Sequence, residues 1–242
     1  VDLKKAEVVL YADWAREEVK LSVKKEPGIG GLPVGVSGKV VSLISSGFDS
    51  LVASFMMMQR GATVVYVHFH SYPATGMESM ENVKKIVECL NKFQGQSKLY
   101  MIPLVDYQKV VVAKAPDALR VLLYRRMMIR LAERVMRREN AKAIVTGESL
   151  AQVASQTLEN MNTVNVLATR PVLRPLIGMN KNEIIKMAER IGTAEISMRP
   201  YEDCCSLYIP KAPALAARVP ELEEAEQKLD VEKWEEELWE GR

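Results

Sequence analysis

Residues Lys39 to Gly61 read KVVSLISSGFDSLVASFMMMQRG. The apolar run Val40 to Ile44 follows Gly38 and precedes polar turn residues, which predicts a strand buried on both faces. Ser45, Ser46, Gly47, Phe48, Asp49 and Ser50 form a polar loop, and Leu51, Val52, Phe55, Met56 and Met58 then recur at helical spacing until Gly61. A strand, a tight polar loop and a helix gather unpaired backbone N–H groups and the positive end of a helix dipole at one point, which attracts phosphate. No lysine follows the glycine as in GxxxxGK[ST], and the spacing is not GxGxxG. A helix start capped by its own Ser or Asp is the plainer account of the same residues.

The strand-and-helix pattern continues outward from this unit. Thr63 to Phe69 (TVVYVHF) predicts a second strand, with His68, Phe69 and His70 at its C-terminal end, where open parallel sheets bind ligands. Glu81 to Phe93 predicts a helix with Val83, Ile86, Val87 and Leu90 on one face and Cys89 as a semi-buried thiol. Leu99 to Val105 predicts a third strand, so the fold class is α/β with a parallel sheet and right-handed crossovers. Asp117 to Glu139 predicts a long helix burying Leu119, Leu122, Leu123, Met127, Leu131 and Val135. Arg126, Arg130, Arg134, Arg137 and Arg138 are expected on its solvated face, and Arg125 lies about 100° around the helix from Arg126. A fourth strand, Ala143 to Thr146, leads into Gly147 and Glu148, and the glycine permits close backbone approach to a ligand. The following SLAQVASQTLENM is helix-prone.

Asn180 with Glu183 makes a capping-box start to a helix carrying Ile184, Ile185 and Ala188. Lys181 in its first turn opposes the helix dipole, so either a nearby phosphate or full exposure accounts for it. In PYEDCCSLYIPKAP, Cys204 and Cys205 are adjacent, too close for a CxxC zinc or redox pair. Upstream, Val8, Leu10, Val19, Leu21 and Val23 predict two short strands, and residues 28–38 (GIGGLPVGVSG) read as a linker.

Composition narrows the class. With 242 residues and 48 % hydrophobic content, the chain can bury a globular core. There is no apolar run of about 18 residues and no signal-peptide pattern, so a cytoplasmic location without membrane attachment is expected. Three cysteines, two adjacent, suit thiol chemistry in a reducing compartment better than a disulfide framework. A start at Val1 fits a fragment or a processed form. The net charge of +2 hides an acidic end: residues 221–242 hold ten acidic and three basic side chains, leaving +9 on the body, a balance compatible with RNA binding. Leu222, Leu229, Trp234, Leu238 and Trp239 make that end one amphipathic helix, packing on its own domain or on a second subunit of a homodimer.

The loop SSGFDS resembles the SGGxDS loop of the PP-loop ATP pyrophosphatase superfamily, with Ser46 where the pattern has its first glycine. YRRMM followed by a strand and GESLAQVASQT, with the linker GGLPVG, is similar to the tRNA 4-thiouridine synthetase (ThiI) family over about residues 1–215. That resemblance implies residues 1–37 as the end of an RNA-binding THUMP domain plus linker, 38–215 as a Rossmann-like PP-loop adenylating domain, and 216–242 as an acidic helical tail. It implies ATP contacts at Leu43, Ile44, His68, Phe69, Arg125, Gly147 and Gln156, added to the loop Ser45 to Ser50 and to Lys181. Asp49 would serve the chemistry and hold Mg²⁺. Cys204 or Cys205, with Cys204 favoured, would engage the activated tRNA.

The implied reaction adenylates the C4 oxygen of a tRNA uridine and replaces it with sulfur, giving 4-thiouridine at position 8; the family is also tied to thiamine biosynthesis. No rhodanese domain is expected within these residues, so sulfur would come from a separate donor, a cysteine desulfurase persulfide or sulfide, or from an iron–sulfur centre that nothing in the spacing of Cys89, Cys204 and Cys205 supports. Two rivals stand beside this reading: an amidating ligase of the same superfamily, which needs no cysteine, and a nucleotide- or RNA-binding module without turnover.

Overall fold

The structure, a computed structural model, describes residues 5–26, 28–202, 204 and 207–241. The chain divides into a small unit through Gly31 and a large one from Leu32 onward. In the small unit, β1 (Tyr11–Ala15) and β2 (Glu18–Ser22) pair antiparallel with every residue exposed. The expected two-strand pair is present, turning at Arg16 with φ 58°. In the large unit the second half of the glycine-rich segment is tied down rather than loose: Leu32 N–H donates to the Gln59 carbonyl at 2.8 Å, and Gly35 and Ser37 N–H donate to Gly61.

The large unit contains β3 (Lys39–Leu43), α1 (Phe48–Gln59), β4 (Thr63–His70), α2 (Glu78–Gln94), β5 (Leu99–Pro103), α3 (Val105–Lys114), α4 (Arg120–Glu139), β6 (Ile144–Val145), α5 (Leu158–Asn165), β7 (Val172–Leu173), α6 (Lys181–Arg190), α7 (Ala194–Ser197), α8 (Val219–Glu226) and α9 (Val231–Glu240). Five strands form one parallel sheet in the order β5-β4-β3-β6-β7. This is the expected α/β class. Alternation along β3 and β4 sends Val40, Val64 and Tyr66 to one face, under α1, α2 and α6. Val41, Val65, Val67 and Phe69 face the other way, into a core with α3, α4, α8 and α9. Apolar side chains on both sides are what a strand between two helical layers requires.

Several expectations change. Helix α1 starts at Phe48, so Phe48, Asp49 and Ser50 belong to its first turn and the loop is shorter than the sequence pattern suggested. The SLAQVASQT stretch is not a helix: it makes turns and a 3-10 segment at Ala154–Gln156 before α5 begins under a Thr157 cap. The acidic tail is two helices, because Asp230 adopts a left-handed φ of 50° between them. Leu222, Leu229 and Leu238 are buried in the chain's own core, so the tail packs on its own domain.

Arg126 is the main correction on α4. Expected on the solvated face, it is 1 % exposed. Its guanidinium makes two bonds to Glu226, at 2.8 and 2.7 Å, and a third to the Thr163 carbonyl at 2.6 Å. Arg130 joins the same carboxylate at 3.1 Å, and Arg134 reaches Glu236 at 2.8 Å. The acidic tail is thus the counter-charge to the arginine face, and pairing allows a guanidinium to be buried there.

Candidate functional site

Strand order reverses between β3 and β6: the chain leaves β3 toward β4 on one side, while β6 and β7 lie on the other. Loops diverge at such a point and leave a crevice beyond the carboxyl ends of the strands. A cavity of about 220 Å³ sits there, lined by Leu43, Ile44 and Ser45 after β3, Asp49 and Ser50 from α1, His68 and Phe69 at the end of β4, Arg125 from α4, Gly147 after β6, Gln156 and Cys204. Eleven residues singled out from sequence therefore surround one space, drawn from positions 43 to 204.

The loop after β3 leaves the start of α1 open. Gly47 is the N-cap, with φ −75° and ψ 163°, and no side chain caps the helix. The Ser50 hydroxyl is occupied elsewhere, accepting from the Ser45 backbone N–H at 2.9 Å. A self-capped helix start is therefore not what this loop builds, and the first-turn N–H groups keep their capacity to bind an anion. Ser46, in the glycine place of the pattern, turns inward and donates to the Ser79 carbonyl at 3.0 Å. Its side chain does not stand in the mouth of the loop. Gly47 packs near Tyr201, whose hydroxyl would lie 3.2 Å from an added Cβ.

Opposite the loop, Gly147 comes so close to α1 that a Cβ there would lie 2.5 Å from the Ser50 nitrogen and 2.6 Å from the Asp49 carbonyl carbon. Asp49 at the rim accepts from Lys181 Nζ at 2.7 Å and from Gln152 Nε2 at 2.9 Å. The same ammonium lies 5.6 Å from the centre of the Phe48 ring. Lys181 thus sits neither in open solvent nor against its own helix dipole alone; its cation is directed at the Asp49 carboxylate in the first turn of α1. Helix α6 begins as expected, with the Asn180 N–H donating to Glu183 at 2.8 Å.

Two arginines meet on Glu148, which the sequence reading passed over. Arg125 pairs with one carboxylate oxygen, and Arg174 donates to the other at 2.6 Å, as does the Thr146 hydroxyl at 2.8 Å. Burial pushes the Glu148 carboxyl upward, but the two guanidinium charges and the Thr146 hydroxyl outweigh it and hold the pKa below the usual range. Arg125 also donates to the Ser155 carbonyl at 2.9 Å, so its guanidinium is fixed at the cavity wall. No local pattern marks Glu148 as a meeting point for arginines, since its two arginine partners lie 23 and 26 residues away.

His68 is buried, its Nδ1 2.9 Å from the Ile44 carbonyl and its Nε2 3.2 Å from the Ser79 hydroxyl. Because a carbonyl only accepts, Nδ1 carries the proton. The Gln156 amide oxygen lies buried at the cavity wall without a hydrogen-bond partner among the described residues, a cost that a donor on a bound ligand would remove. Cys204 is buried against the same cavity, whereas Cys205 lies outside the described residues. Among the described residues no cluster of three or more His, Cys, Asp or Glu side chains is placed to hold a metal ion, and no helix is long and apolar enough to cross a membrane.

The family described as "Thiamine biosynthesis protein (ThiI)" matches residues 35–231. A probable tRNA sulfurtransferase of Thermus thermophilus is 50 % identical over 212 residues, covering 88 % of this chain and 52 % of the relative. One from Brevibacillus brevis is 42 % identical over 232 residues, covering 96 % and 58 %. The crystal structure of a 4-thiouridine synthetase–RNA complex with bound ATP superposes with a TM-score of 0.91 at 39 % identity, covering 98 % of this chain and 62 % of that one. The chain spans little more than half the length of these two curated relatives. With the family model matching residues 35–231 and relatives 42–50 % identical over most of the chain, this chain belongs to the ThiI family.

Proposed function

We propose that the chain carries out ATP-dependent sulfur transfer to a tRNA uridine, giving 4-thiouridine at position 8. The carbonyl oxygen at C4 is a poor leaving group, so it must be activated before sulfur can replace it. In the first step the C4 oxygen attacks the α-phosphorus of ATP, the bond to the β-phosphate breaks, and pyrophosphate departs. The open N–H groups at the start of α1, with Arg125 and Lys181, oppose the charge that grows on the pyrophosphate. In the second step a sulfur nucleophile attacks C4 and AMP leaves with the former oxygen. With a persulfide as donor, its outer sulfur bonds to C4, and the Cys204 or Cys205 thiolate then attacks the donor-side sulfur, breaking the S–S bond to leave 4-thiouridine and a disulfide between donor and chain; sulfide bonds to C4 directly. The sulfur comes from a separate donor, a cysteine desulfurase persulfide or sulfide.

The residues at the rim suit a nucleotide-borne Mg²⁺ in one respect, since Asp49 presents a carboxylate, the donor that ion prefers together with water and phosphate oxygens. Bound there, Mg²⁺ would neutralise phosphate charge. Residues 1–37 are read as the end of a THUMP domain, residues 38–215 as the adenylating domain, and the cytoplasm as the place of action.

The observation that carries the reading is that Cys204 shares one cavity with the nucleotide loop. An amidating ligase has no use for a thiol there. Incubation with tRNA, ATP, Mg²⁺ and sulfide, followed by nucleoside analysis, should yield 4-thiouridine together with pyrophosphate. Amidation predicts that Cys204→Ser with Cys205→Ser leaves activity intact, and a binding module predicts no pyrophosphate with or without tRNA.

A further inference from the structure

The cysteine of the cavity is held by a buried amide that no local motif marks. Gln108 on α3 is 0 % exposed, and so is Ser71, just past the end of β4. The Ser71 hydroxyl donates to Gln108 Oε1 at 2.6 Å, and Gln108 Nε2 donates to the Cys204 backbone carbonyl at 2.6 Å. The direction of this relay is forced. A backbone carbonyl only accepts, so the amide must turn its NH₂ toward Cys204 and its oxygen toward Ser71. Ser71 in turn follows directly on the strand end that presents His68 and Phe69 to the cavity.

We propose that Gln108, oriented by Ser71, is a positioning residue for the sulfur-transfer step: it fixes the main chain at Cys204, and hence the reach of the cysteine loop into the cavity. This rests on the function proposed above. Both bonds lie out of water, where a short, fully satisfied relay resists displacement more than an exposed one. The phosphate loop, Arg125 and Lys181 do not touch Gln108 in any described hydrogen bond. With a persulfide as the sulfur donor in the assay, loss of the relay should therefore leave adenylation in place and disturb only the approach of the thiol to the donor-side sulfur.

The test separates the two steps. In Gln108→Met, which keeps the volume and removes both bonds, tRNA-dependent pyrophosphate release should stay within about threefold of the parent. The 4-thiouridine rate should fall on the order of 10²-fold, the scale of a displacement of about 1 Å. Ser71→Ala, which leaves the Cys204 bond but frees the amide to turn, should show a smaller loss in the same step. Amide hydrogen exchange should rise in residues 200–213 in both variants and stay unchanged in α1. Thiolation at the parental rate in Gln108→Met overturns the assignment. If Gln108→Met fails to fold, Ser71→Ala decides: unchanged thiolation, or a loss matched by pyrophosphate release, also overturns it. A parent that releases no pyrophosphate with tRNA refutes the proposed reaction instead, and exchange at 200–213 still decides whether Gln108 holds the loop.

Discussion

Lys181 Nζ lies 2.7 Å from an Asp49 carboxylate oxygen, bringing the first turn of α6 onto the first turn of α1 across 132 residues of chain. Both groups keep contact with solvent, so as a salt bridge the pair stabilises the fold by no more than about 1 kcal/mol. Its location is what matters, since both charges stand at the start of α1, where the proposed reaction places the phosphates. Asp49→Ala should abolish tRNA-dependent pyrophosphate release, and Lys181→Met should lower it at least about tenfold. Urea midpoints should barely move in either variant. Release at the parental rate in Asp49→Ala would remove the site.

Gly147→Ala should injure the same step by a different route. The new methyl would meet the backbone of Asp49 and Ser50, which cannot swing aside as a flexible side chain does. Moving the start of α1 costs about 1–3 kcal/mol, and it misaligns the N–H groups offered to phosphate. Nucleotide affinity measured by calorimetry should drop more than the melting temperature does.

Arg126→Met should be the most destabilising single change on α4. Removal leaves the half-buried Glu226 carboxylate to Arg130 alone and takes the guanidinium donor from the Thr163 carbonyl, at a cost of about 2–3 kcal/mol. Lys233→Met breaks an exposed pair with Glu237 and should cost about 0–0.5 kcal/mol. Equal urea midpoints for the two variants would mean that the tail is not held by Arg126.

Acid should unfold the protein partly through Glu139, at the end of the sheet away from the cavity. Burial raises this carboxyl, but hydrogen bonds from Lys98, Tyr100 and Lys39 overcome that and bring its pKa down to about 2. The folded value lies below the unfolded value of 4.5, so the stabilisation is complete above about pH 4.5 and is lost as pH falls toward about 2. Glu139→Gln should flatten this part of a stability-against-pH curve, as read by urea midpoints.

His70 acts over a higher window. Burial first, and the nearby His68 second, lower its pKa from 6.5 to about 4, and its Nδ1 is buried with no hydrogen-bond partner among the described residues. The unfolded chain takes up this proton first, so stability from His70 declines as pH falls from about 6.5 to 4. Imidazole titration followed by NMR should place the midpoint near 4. A midpoint at 6.5 would show that the ring is solvated.

Much of the site was legible because its signals are local. The run Val40 to Ile44, the small residues at 45–47 and the glycine after the Ile144–Val145 strand each report a backbone requirement within a few residues. Short or weakly patterned elements were not legible: β7 is two residues long, and α3 presents no clean apolar stripe. Ser46 shows the limit from another side, because only packing against Ser79 decides that its hydroxyl points inward.

The first three strands of the large unit, helices α1, α2 and α4 and the polar turn after β3 were settled by sequence, since periodicity and turn chemistry act over a few residues. Tertiary structure alone decided that Arg126 is buried on Glu226, that Glu148 gathers Arg125 and Arg174, and that Gln108 grips Cys204. Burial of a charged or amide side chain is costly without a partner, and these partners lie from 23 to 100 residues away, beyond the range of any local pattern.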